Sequence, residues 1–149
     1  MNAGTVIKWN KFKDREYGGE LKPRWFVCVG HTGLLASHEL CYLFTTTTQL
    51  EQFEAGGPRE HHTFCKFDPN KTPFEYECIM DFDEGLYPYP PAKLENNPDI
   101  EIKGILDEQN MRMVYNRAVR SPLLSPTEKL DIYDSFIKAG IDVKKPSKV

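Results

Sequence analysis

Trp25-Phe26-Val27-Cys28-Val29-Gly30 is the stretch from which the architecture follows. Five apolar residues in succession, closed by a glycine, suit a central, buried strand. Upstream, Thr5 to Phe12 carries apolar residues broadly at strand spacing, and the polar segment from Lys13 to Pro23, with Gly18 and Gly19, reads as a loop. Downstream, Glu39 to Thr46 is a second β-rich run, which the threonines Thr45 to Thr48 extend. A Gly-Gly-Pro loop follows at 56–58. His62 to Phe67 alternates as an amphipathic strand, Asp68 to Phe74 reads as a turn, and Glu77 to Phe82 as another short strand.

Residues 87–98 have the proline density of a loop and exclude a central strand. Ile100 to Lys103 alternates as a last short strand, closed by Gly104. Helical signals then take over. Asp107 caps a helix running to about residue 120, with Met111, Val114, Tyr115 and Ala118 on one face. Ser125-Pro126-Thr127-Glu128 matches a capping box with proline at the first helical position. Leu130, Tyr133, Phe136 and Ile137 fall at helical spacing behind it, and Gly140 stops that helix near 139. Residues 141–149 read as a mobile tail. Strands joined by turns and then helices predict an α+β class: a small antiparallel barrel or curled sheet, its core spanning about 4–105, with C-terminal helices packed on it.

The length of 149 residues fits one domain, and a hydrophobic fraction of 40% with 12% aromatic residues supports a real core. No apolar run is long enough to cross a bilayer, and residues 1–9 lack a signal-peptide pattern, so a cytoplasmic protein is expected. Cys28, Cys41, Cys65 and Cys78 form no C-x-x-C pair and read as small buried hydrophobes in a reducing compartment. The net charge of −3 is unevenly spread. Residues 1–24 hold six basic side chains, including Arg15, Lys22 and Arg24, whereas 68–108 hold eleven acids against Lys71, Lys93 and Lys103. A basic face could meet phosphates, although ordinary solvated charge explains the same pattern.

Phosphate-binding glycine loops, dinucleotide fingerprints, nucleophile elbows and paired-cysteine zinc signatures are absent from the sequence. His61 and His62 with Cys65 do not converge on a regular strand and read as a surface pair; His31 and His38 read as loop polar residues. Asp81, Asp83 and Glu84 could hold Mg²⁺, but equally form a solvated turn. Two other places are more unusual. Arg24 stands at the entrance of the buried strand, after Lys22-Pro23. Thr45 to Gln49 ends the neighbouring strand. An arginine held by a strand can engage a phosphate bidentately, and a threonine hydroxyl can donate to a phosphate oxygen. Together they could stabilise a pentacovalent phosphorus without a metal. On composition alone, a surface arginine and β-forming threonines explain them as well.

The order of these pieces resembles the MazF/PemK/Kid family of bacterial toxin ribonucleases. Gly4 to Trp9 stands where that family begins with a Gly-Asp-Ile-Val-Trp-like strand. Lys22-Pro23-Arg24 before Trp25 to Val29 stands where the family's Arg-Pro opens a hydrophobic strand, with Trp25 in place of the proline. Leu43 to Gln49 is similar to its Cys-Thr-Thr-Gln strand end, Cys78 to Asp83 to its Val-Val-Leu-x-Asp-Gln, and Ile102 to Glu108 to the element before its main helix.

The resemblance covers roughly residues 4–120 and implies an SH3-like barrel of about five to seven strands, commonly a homodimer. It implies metal-independent cleavage of single-stranded RNA by the substrate's own 2′-hydroxyl, no cofactor, and a cognate antitoxin as inhibitory partner. The family's catalytic arginine falls on Arg24 and its catalytic hydroxyl on Thr47. Lys22, Thr46, Thr48 and Gln49 would bind substrate, and the threonine run leaves Thr46 and Thr48 as alternative equivalents. A basic groove near Lys22 and Arg24 is expected. The competing reading is a non-catalytic barrel of this kind acting as a protein- or nucleic-acid-binding module, which the acidic 68–108 segment favours.

Overall fold

A computed structural model of the chain describes residues 1–13, 20–33 and 38–147. The expected Gly18-Gly19 loop, Arg15 and the last two tail residues lie outside the described residues. Seven strands form one antiparallel sheet: β1 (Thr5–Lys13), β2 (Leu21–His31), β3 (Cys41–Thr47), β4 (Phe64–Phe67), β5 (Cys78–Asp81), β6 (Tyr87–Tyr89) and β7 (Ile100–Ile105). Their order is β4-β5-β3-β2-β1-β7, and β6 pairs with β3 beside that path. No ladder joins β4 to β7 among the described residues, so the sheet is open where a closed barrel was expected. The α+β class holds, with the helices α1 (Pro91–Leu94), α2 (Glu108–Ala118) and α3 (Pro126–Lys138).

The central strand β2 runs between β1 and β3 and carries core on both faces. Val27 and Val29 join Val6, Tyr42 and Phe44 against Met111, Val114 and Tyr115 of α2 and Ile132 and Phe136 of α3. Phe26 and Cys28 join Ile7, Trp9, Phe12 and Leu43 on the opposite face, under Leu94 of α1 and the rings of Tyr87 and Tyr89. Successive side chains of a strand point to opposite faces, so an unbroken apolar run is what a strand covered on both sides requires. Most aromatic contacts of the second cluster are edge-on, as ring quadrupoles favour; Phe12 and Phe26 have centroids 5.0 Å apart at an interplanar angle of 66°.

The ladder is irregular where it matters. Cys28 pairs with Leu43 but Gly30 pairs with Tyr42, so Val29 is an extra residue and β2 bulges there. Gly30 has φ +150°, and a Cβ on it would stand 2.6 Å from Ser135 Oγ of α3. Glycine is what allows α3 to lie this close to β2, and the His31 N–H donates to Ser135 Oγ at 3.0 Å across the contact. A second register shift, between Trp9 and Phe12 of β1, accommodates Pro23, which has no N–H for a ladder. β1 takes in Lys13 and β2 takes in Leu21 to Pro23 of the expected Lys13–Pro23 loop, and Arg24 lies inside β2 rather than at its entrance.

The proline-rich segment does contain structure: Tyr87-Pro88-Tyr89 pairs with Cys41–Leu43, and α1 follows. α2 is capped by Asp107 and buries the four residues expected. α3 has the full Ser125–Glu128 capping box and ends at Gly140, φ +82°. Its buried residues are Ile132 and Phe136, whereas Leu130 and Ile137 of the expected stripe are 40% and 43% exposed. The helix is turned so that Ser135 meets Gly30 and Asp131 accepts from Tyr42 Oη at 2.9 Å. The tail expected to be mobile is anchored in its first residues: Ile141 and Val143 pack on the helical core, and Arg112 and Tyr115 donate to the carbonyls of Asp142 and Lys144. No helix of the described residues is long and apolar enough to cross a membrane.

Candidate functional site

A cleft of about 280 Å³ opens between the ends of β2, β3 and β5 and the 49–59 segment. Lys22, Arg24, Thr46, Thr47 and Gln49, all singled out from sequence, line it. Thr48 does not line it; it is exposed beyond the end of β3, where its carbonyl accepts from the Leu50 N–H at 3.0 Å. Arg24 and Thr45 converge because Phe26 pairs with Thr45 across the ladder, which sets Arg24 two residues away on the same face.

Arg24 Nη1 donates to Thr45 Oγ1 at 3.4 Å, and Thr45 Oγ1 in turn donates to the Trp25 carbonyl at 3.1 Å. Thr45 is 4% exposed and acts as an anchor for the arginine. Thr47 is more open. Its Oγ1 accepts from the Gln49 N–H at 3.1 Å, which leaves the hydroxyl proton directed to a different acceptor. Gln52 Nε2 donates to Gln49 Oε1, which fixes the amide of Gln49 at the rim.

The far wall is a network that sequence reasoning missed. Asp81, at the end of β5, is 2% exposed. Its Oδ1 accepts from the Asp83 N–H at 2.9 Å; its Oδ2 meets His62 Nδ1 at 2.8 Å and Arg59 Nη1 at 3.4 Å. Arg59 also pairs with Glu84. Asp83 turns away from the cleft, accepting from the Thr63 N–H at 2.8 Å and the Ser121 hydroxyl at 3.0 Å. The expected solvated acidic turn thus has one buried carboxylate, Asp81, beside a half-buried Asp83 and an exposed Glu84, and all three meet protein donors. His61 and His62 do diverge: His61 is exposed beside Glu60, while His62 turns inward to Asp81.

The cleft is balanced rather than basic. Lys22, Arg24 and Arg59 face Glu20, Asp81 and Glu84, and Lys22 pairs with Glu20 at 3.4 Å on the exposed side. The expected basic groove is therefore present only as an arginine and a lysine along one wall. Arg59 could have been suspected from the Gly-Gly-Pro loop that positions it, but nothing local pairs it with Asp81, 22 residues away. Comparison with protein families, curated proteins and solved structures returns no match.

Proposed function

We propose that the chain is a toxin-type endoribonuclease, on an open variant of an SH3-like barrel, that cleaves single-stranded RNA without a metal. The observation that carries the reading is the joint presence of Arg24, Lys22 and the Thr47 hydroxyl in one cleft. In the reaction the RNA 2′-hydroxyl attacks the adjacent phosphorus and loses its proton. The bond to the 5′-oxygen breaks, that oxygen gains a proton, and a 2′,3′-cyclic phosphate remains. Arg24, held by Thr45, stabilises the charge that builds on the phosphorane oxygens. Thr47 donates its hydroxyl proton to a phosphate oxygen, and Gln49 and Lys22 hold the flanking chain. Asp81 and Glu84 repel phosphate from the opposite wall and confine it to the Arg24 side. A cognate antitoxin masking the cleft, a homodimer and a cytoplasmic location belong to the same proposal.

The test is incubation of the purified protein with mixed-sequence single-stranded RNA in EDTA, beside Arg24→Ala and Thr47→Val. Discrete fragments ending in cyclic phosphate from the parent are expected, reduced about 100-fold or more in Arg24→Ala, the scale seen when one oxyanion donor is lost. Intact RNA from a natively folded parent would overturn the proposal. If that parent still retained RNA on a filter, the balanced charge of the cleft would mark it as a binding module.

A further inference from the structure

A second cavity, of about 470 Å³, lies on the opposite part of the sheet, lined by Met1, His31, Cys41, Leu94 and Ile100 among others. His31 and Cys41 belong to its wall and Cys28 is fully buried; a ring nitrogen of His31 and the two sulfurs all lie within 4.8 Å of one another. The sequence gives no hint of this grouping. Residues 28 and 31 are three apart, and in a regular strand they would face opposite sides of the sheet. The bulge at Val29 reverses that parity, and His31, paired with Cys41, comes to the same face as Cys28.

We propose that Cys28, His31 and Cys41 bind one Zn²⁺ ion, with the fourth coordination position open to the cavity. The donor set of two thiolates and one imidazole suits this borderline-soft cation, and three protein ligands with an open fourth place are the pattern of accessible rather than purely structural zinc. His31 offers one nitrogen for ligation. Its Nε2 sits 2.5 Å from the Met1 carbonyl, which can only accept, so Nε2 carries the proton and Nδ1 a bare lone pair. Nδ1 is buried without a hydrogen-bond partner among the described residues. Ligating histidines characteristically donate their other ring N–H to a carbonyl in this way.

The sulfurs are 3.2 Å apart; a tetrahedral ion about 2.3 Å from each holds them about 3.8 Å apart, so the pair opens by roughly 0.6 Å on binding. A disulfide, at about 2.05 Å, would instead require the pair to close by more than 1 Å and would leave the His31 Nδ1 without a partner. Binding releases both thiol protons to solvent and changes no oxidation state.

The experiment is a titration of the reduced, oxygen-protected protein with Co²⁺, followed by displacement with Zn²⁺. One Co²⁺ per chain is expected, with thiolate-to-metal charge transfer and the intense visible bands of tetrahedral cobalt, abolished by one equivalent of Zn²⁺. His31→Asn leaves the buried sulfur pair in place and should weaken binding at least tenfold with an unchanged circular dichroism spectrum. Cys41→Ser should remove the charge-transfer band, and Cys65→Ser should retain it. Absence of these bands in the folded parent would overturn the proposal. So would bands unchanged by His31→Asn, or a Cys28–Cys41 disulfide that persists in place of metal uptake.

Discussion

Replacing Asp81 by asparagine tests whether the wall of the cleft is held by a buried carboxylate. The side chain is 2% exposed and meets three donors, at 2.8, 2.9 and 3.4 Å. Asparagine keeps the volume and can still accept from the Asp83 N–H. Its NH₂ group, however, would face the Nδ1 of His62 and the guanidinium of Arg59. A hydrogen bond to a charged group contributes about 1.5–3 kcal/mol, and stranding a buried donor costs about 1–3 kcal/mol. Arg59 is 24% exposed at its side chain and keeps Glu84, so its share is discounted. His62 can recover part of its bond by changing tautomer. The expected loss for Asp81→Asn is therefore about 2–3 kcal/mol.

Urea unfolding reads that loss directly. With a slope of about 2 kcal/mol/M, the midpoint should fall by roughly 1–1.5 M with the slope unchanged. Arg59→Met and the double variant complete a cycle, in which the double should cost at least about 1 kcal/mol less than the sum of the singles. A loss below about 1 kcal/mol for Asp81→Asn, or strict additivity in the cycle, would refute the idea that this carboxylate organises the wall.

Three further outcomes are expected. Gly30→Ala places a Cβ 2.6 Å from Ser135 Oγ at a φ of +150°, and should cost at least about 2 kcal/mol in a thermal melt; Ser135→Gly in the same chain should restore part of it. Ser125→Ala removes the hydroxyl that accepts from the Glu128 N–H at 3.1 Å and should lose about 0.5–2 kcal/mol, measured by the same melt. Alkali should destabilise the chain from pH 9 upward. Burial raises Cys78 from 9.0 to about 12 and Tyr115 from 10.0 to about 12. Below pH 9 both states hold these protons and the contribution is whole; between 9 and 12 the unfolded chain ionises first and stability falls. Urea midpoints at pH 8 and pH 11 check this, and Cys78→Ala should flatten the decline.

Local signals in the sequence carried the elements whose structure is itself local. The Ser125–Glu128 box, the Asp107 cap and the glycine after α3 all act within a few residues, and each is where its pattern put it. The apolar run of β2 was legible because burial on both faces removes alternation. What escaped depends on distance or on broken periodicity. Of the expected stripe Leu130, Tyr133, Phe136 and Ile137, Phe136 is buried, but Ile132 takes the place beside it, and the close approach at Gly30 sets the turn of the helix. Tyr87-Pro88-Tyr89 pairs with β3 despite its proline because it lies beside the main path of the sheet, where fewer ladder bonds are needed. In the cleft, Arg24 and the threonines stood out through their strand ends. Arg59, His62 and Asp81 looked like ordinary surface residues until folding buried the carboxylate they share.

The two covers of the sheet come from separate parts of the chain. α2 and α3 roof one face, while the short β6–α1 segment roofs the other. The second cover is small, a three-residue strand paired with β3 and a four-residue helix, so it is the place where the native state can open without melting the helices. Such an opening would wet Ile7, Trp9 and Phe26 while Val6, Val27 and Phe44 stayed dry. In hydrogen exchange the central amides would then divide by their pairing partners: those of β3 bonded to β6 exchange through the local event, and those between β1 and β2 only through global unfolding.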